Sequence, residues 1–143
     1  MYRSLNAVLV SVPFALFATS ATAQVPVAAD HPLIGKWQWT RPVNQCTEVF
    51  EFRADGTAPV TSGDEKTDNT YTISSSADRN GFYQLNMKTL KDFGGKDCGD
   101  DSSDTTGQET THYVLFEPQK TMHIVCAEPK VGRCYGPLNR VPK

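Results

Sequence analysis

From Leu33 to Val141 the chain repeats one pattern: apolar and polar side chains alternate over a short run, then a cluster of Gly, Pro, Asp, Asn or Ser interrupts them. A period of two is that of a half-buried strand, and no stretch offers the 3.6-residue period of a helix. Leu33, Gly35, Trp37 and Trp39 fall on one face of a first strand, residues 33–40, and Phe50 and Phe52 on the inner face of a second, 46–53. Asp55-Gly56 after it is a hairpin signal, because glycine readily supplies the positive φ of tight turns. A weaker strand at 57–61 carries Pro59, the mark of an irregular or edge position. Residues 67–74 set Tyr71 and Ile73 inward; after a polar turn at 77–81, Tyr83, Leu85 and Met87 do the same. The period then stops across a polar loop, 91–108. Residues 110–116 and 121–126 form a hairpin whose inner face is expected to carry Tyr113 and Leu115 with Met122 and Ile124, and a last strand covers 133–141.

Eight short strands joined mostly by short turns predict an all-β, antiparallel up-and-down barrel, since closure removes the exposed edges of a flat sheet. A two-sheet sandwich is the alternative. The barrel is expected to occupy residues 33–143, after a lead-in at 24–32 with no role in the fold. Before it, Arg3, an apolar run from Leu5 to Ala18 and Ala21-Thr22-Ala23 have the layout of a cleavable export signal, residues 1–23. The run is short of the roughly 18 residues that span a bilayer, so no anchor is expected after cleavage. The remaining 120 residues suffice for one core.

Cys46, Cys98, Cys126 and Cys134 follow that segment, which suits disulfides in the periplasm or outside the cell. Four cysteines allow three connectivities. Cys126 with Cys134 would close a short loop and leave Cys46 with Cys98 to tether the long one, and this is the preferred pairing. With no Cys-x-x-Cys, their role is structural. In an up-and-down barrel all four fall on one rim together with the longer connections, and loops held on a rigid scaffold are where function concentrates.

Removing the leader leaves 13 basic and 16 acidic residues with no basic cluster, so nucleic acid is not an expected partner. Asp92, Asp97, Asp100, Asp101 and Asp104 lack the ligand order of a calcium loop and read as a solvated acidic segment. His31, His112 and His123 are expected at the surface, with His112 and His123 on the outer face of one hairpin, too few to hold a metal. No nucleophile elbow or zinc-protease motif occurs, and Glu48, Glu51 and Glu117 show no sign of pairing. The chain is therefore expected to be non-enzymatic, monomeric and free of cofactor or metal.

Leu33-Ile34-Gly35-Lys36-Trp37 resembles the Gly-x-Trp opening of lipocalins and their short bacterial relatives, and Phe50-Glu51-Phe52 with Asp55-Gly56-Thr57 is similar to their second-strand hairpin. That resemblance implies a Trp37 that closes the base of the barrel beside Gly35, with Arg140 packed over the indole. The first strand, with Cys46 shortly after it, also resembles small periplasmic inhibitors of secreted metalloproteases. The inner set of Trp37, Trp39, Phe50, Phe52, Tyr71, Tyr83, Leu85, Tyr113, Leu115, Met122 and Ile124 is then either a ligand calyx or a packed core. The leading expectation is an exported lipocalin-like protein that binds a small apolar ligand or a protein surface through its braced rim. The alternative is a periplasmic inhibitor or immunity protein against a secreted hydrolase.

Overall fold

The structure, a computed structural model, describes residues 26–142; the export signal assigned to residues 1–23 lies outside them. Eight antiparallel strands close into one barrel in sequence order: β1 (Gly35–Thr40), β2 (Thr47–Phe52), β3 (Val60–Ser62), β4 (Glu65–Ile73), β5 (Phe82–Asp92), β6 (Glu109–Phe116), β7 (Met122–Cys126) and β8 (Cys134–Arg140). No helix occurs among the described residues. Every pairing joins consecutive strands except the seam between β1 and β8, which is held by Trp37 opposite Arg140 and Gln38 opposite Asn139.

The alternation read from the sequence is realised in β1, β2, β4 and β5. Trp37, Phe52, Tyr71 and Leu85 belong to one buried core with Leu33, Val114, Val125 and Leu138. At Asp55-Gly56 the turn is wider than a two-residue hairpin. Gly56 takes φ +81° and donates to the Arg53 carbonyl, while Arg53 donates to the Thr57 carbonyl and the Asp55 carboxylate accepts from the Thr57 amide. Pro59 falls before β3, and the strand proper starts at Val60.

The β6–β7 hairpin has the expected period and the opposite phase. Leu115 faces Ile124 and Tyr113 faces Cys126 in the register, but it is Val114, Phe116, His123 and Val125 that turn inward. Tyr113, Leu115, Met122 and Ile124 lie on the outer wall, where Leu115, Met122 and Ile124 line a shallow groove with Pro137. Both faces of β6 carry large apolar side chains, so alternation alone does not say which is inside. Packing decides it: Phe116 and His123 are the side chains that meet the indole of Trp37. His123 is therefore a buried residue, 2 % exposed, and His112 sits on the inner face of β6, contrary to their expected surface positions.

The described part of the lead-in, 26–32, also differs from expectation, because it covers one end of the barrel. Val27 donates to the Ala54 carbonyl, and His31 is 7 % exposed with its ring against Tyr83 and its Nε2 3.2 Å from the Ser74 carbonyl, while Leu33 just after it is fully buried as expected. Depositing Leu33 and Val27 on the core gains what apolar burial gains anywhere, roughly 25 cal/mol per Å². His31 Nδ1 accepts from the Leu33 amide, which fixes the chain's turn into β1.

Candidate ligand-binding cavity

The two ends of the barrel are built differently. At the base Trp37, 0 % exposed, donates from Nε1 to the Leu33 carbonyl at 2.7 Å. The Arg140 guanidinium lies 4.2 Å from the centre of the indole ring and donates to the carbonyls of Pro32 and Ile34. The indole N–H and the guanidinium both have carbonyl partners, and the cation rests on the ring face where its quadrupole is attractive. Gly35 is required at this point: its φ is +132°, and a Cβ would stand 2.6 Å from Arg140 Nη1. Gly35, Trp37 and Arg140 thus meet in one plug.

The opposite rim gathers the connections 41–46, 63–64, 93–108 and 127–133 and both disulfides, Cys46–Cys98 and Cys126–Cys134. The long connection does not float. Beyond the Cys46 bridge, the Cys98 amide donates to Ser62 Oγ at 3.0 Å, Asn44 donates to the Cys98 carbonyl, and the Lys96 carbonyl accepts from the Asp64 and Glu65 amides. Gly95 allows that last contact, since a Cβ there would come within 2.5 Å of the Asp64 carbonyl oxygen. Its carboxylates are spent on local turns: Asp97 accepts from Gly99 and Asp101, Asp101 from Ser103, and Asp92 from Gly94 and Thr105. Among the described residues no group of three metal-ligating side chains converges.

Between plug and rim the barrel is hollow. A cavity of about 200 Å³ runs from His123 and Leu138, in the layer above Trp37, up to Glu65, Thr89, Thr105 and Thr110 at the rim. Its apolar wall is Phe50, Phe52, Leu85, Met87 and Val125. Its polar wall is Glu65, Thr67, Asn69 and His112, with Tyr135 above Val125. Asn69 is satisfied by the Ala58 carbonyl and Thr67 Oγ1. His123 is not, because its Nδ1 is buried without a hydrogen-bond partner. Burial holds that imidazole neutral, with its pKa down at about 3, and the Arg140 charge adds to the effect. Burial likewise lowers His112 and pushes Glu65 up, and the neighbouring Asp92 and Asp97 charges raise Glu65 further. Tyr135, buried beside Glu48, is also raised.

Of the inner set named from the sequence, Phe50, Phe52 and Leu85 line this space. Trp37 and Tyr71 are packed beneath or beside it, Tyr71 donating to the Arg53 carbonyl. Tyr83 packs on Phe116 and His31, and Trp39 on Tyr135. Tyr113, Leu115, Met122 and Ile124 are outside it. The polar lining of β4 was missed, although Glu65, Thr67 and Asn69 continue the phase of Tyr71 and Ile73 backwards along the strand. Polar residues in phase with a core face are the sequence mark of an interior that is not filled. Fold and site together define a closed, disulfide-braced antiparallel β-barrel with a plugged base and an internal cavity reaching its braced rim. No family model, curated protein or solved structure matches the chain.

Proposed function

We propose that this protein is an exported, non-enzymatic binding protein of lipocalin-like build that holds a small molecule inside the barrel and admits it through the disulfide-braced rim. The observation that carries the reading is the cavity itself, walled by Phe50, Phe52, Leu85, Met87 and Val125 in a barrel whose other end is closed. A dry cavity of about 150 Å³ takes benzene, so a 200 Å³ space suits a single-ring or similarly small ligand rather than a lipid. Two disulfides agree with an oxidising compartment. Native mass spectrometry of protein recovered from the periplasm or medium, with displacement of a small apolar dye, tests it. A bound or displaceable small molecule supports the reading, and a bare polypeptide that takes up no dye overturns it.

A second reading has its own observation: Leu115, Met122, Ile124 and Pro137 form an apolar groove on the outer wall, with Met122 39 % exposed. Such a face suits a protein contact, as the inhibitor alternative requires. A stoichiometric hydrolase recovered with the tagged protein, and lost with M122E, supports it; no partner in native extract sets it aside.

A further inference from the structure

The cavity is chemically one-sided. Glu65 lines it near the rim, with Asp92, Asp97 and Asp101 close enough to act on its charge. Glu48 stands at the same end beside Tyr135, with Arg41 as the cation near it. Among the described residues none of the ion pairs reaches Glu65, and the charges that act most on it are those of Asp92, Asp97 and Asp101. A partly desolvated carboxylate is costly until a proton or a cation joins it, and a ligand that brings its own cation relieves that cost. Below it the walls are the rings of Phe50 and Phe52 and the side chains of Leu85 and Met87. Deeper still, His123 presents the one buried polar side-chain atom without a partner among the described residues. Native interiors rarely leave such an atom unpaired. That unpaired nitrogen is an observation separate from the acidic rim, and both belong to one cavity.

Resting on the reading of the cavity as a ligand site, we propose that its occupant is a small primary amine in its ammonium form. The cation sits at Glu65, the hydrocarbon frame or ring lies against Phe50, Phe52, Leu85 and Met87, and a hydroxyl on the far end meets His123 Nδ1. A hydroxyl both donates and accepts, so it satisfies that nitrogen in either imidazole tautomer. The arrangement selects against anions, which would face Glu65 with the Asp92 charge behind it. It selects against long chains by volume.

Isothermal titration calorimetry on the purified protein with both disulfides intact tests this with four probes: phenethylamine, tyramine, 2-phenylethanol and phenylacetate. A hydrogen bond to a charged group is worth enough for phenethylamine to bind about tenfold or more tighter than its neutral isostere 2-phenylethanol. Phenylacetate is expected not to bind, and tyramine to exceed phenethylamine by roughly fivefold through its phenol on His123. E65Q should bring phenethylamine down to the affinity of 2-phenylethanol and leave the latter unchanged, which also shows that the variant is folded. Equal or tighter binding of 2-phenylethanol or phenylacetate overturns the amine assignment while the cavity reading survives. No gain for tyramine overturns the role of His123. Failure of all four probes overturns the amine and the cavity reading together.

Discussion

The base and the rim of this barrel achieve order by different chemistry. At the base, order comes from burial: Leu33, Trp37 and Leu138 are removed from water, and one guanidinium satisfies the carbonyls of the incoming chain while covering an indole. At the rim, 16 residues between β5 and β6 contain almost no apolar side chain, so they are held by a disulfide, a buried Ser62 hydroxyl and carboxylates folded back on their own amides. Where a chain must leave a mouth open, packing is not available to hold it, and covalent and polar ties replace it. The base is thus the thermodynamic anchor and the rim a tethered surface.

The comparison breaks most severely at Trp37. W37A removes the largest fully buried side chain and strips Arg140 of its platform, and by the range for aromatic truncation it should cost about 5 kcal/mol. Urea unfolding checks it, and a loss under about 2 kcal/mol would mean that the base is not the anchor.

The rim's counterpart is the double variant C46S/C98S. Its bridge spans a separation of 52 residues and that of Cys126–Cys134 only 8, so chain entropy gives about 4 kcal/mol for the first and about 2.5 for the second. Hydrogen exchange sharpens the contrast. The C46S/C98S protein should lose protection across 93–108 and keep it in β1 and β8, whereas W37A should lower protection throughout.

The third test concerns acid. His123 is held neutral with a pKa of about 3, while in the unfolded chain it titrates near 6.5. Its folded value is depressed, so the unfolded state binds the extra proton. The stability it permits is complete above about 6.5 and is lost as pH falls towards 3, by about 1.4 kcal/mol per pH unit. His31 and His112 are shifted the same way by burial, so the comparison is with H123F, whose stability should fall less steeply between pH 6.5 and 4.5. Equal slopes would place His123 in a wetter setting than its 2 % exposure implies.

The smallest effect is at Ser62. S62A leaves the Cys98 amide without its acceptor and should cost about 1–2 kcal/mol. Faster exchange of that amide, with little change elsewhere, would show the rim coming loose without the base.

The strand count, the closed meander and both disulfide pairs were legible in the sequence, because turn residues and cysteine spacing are local signals. Which way β6 and β7 face was not. Tyr113 and Leu115 compete with Val114 and Phe116 for the interior, and only contact with Trp37, far away in sequence, decides between them. The fold role of residues 26–32 was hidden for a similar reason: nothing in Val27 shows that Ala54 waits to receive it, or in His31 that Ser74 does. The cavity was half visible. Its rings were named, while Glu65, Thr67 and Asn69 look, residue by residue, like ordinary surface, and only the phase they share with Tyr71 and Ile73 sets them inward.

The sparse β1–β8 seam carries a consequence for how the molecule assembles. All other strand neighbours are adjacent along the chain, so each hairpin closes over a turn or, between β5 and β6, a loop of 16 residues. Joining Trp37 to Arg140 and Gln38 to Asn139 alone requires the two ends of the sequence to meet. The entropy of that encounter grows only logarithmically with the intervening length, but it is repaid late. The ribbon of hairpins is therefore expected to curl first and latch last, with the arginine–indole contact as the latch. That order makes the finished circle all-or-none, and it brings the beginning and end of the barrel side by side, where a short linker could join them and a new opening be cut at the Pro118 turn.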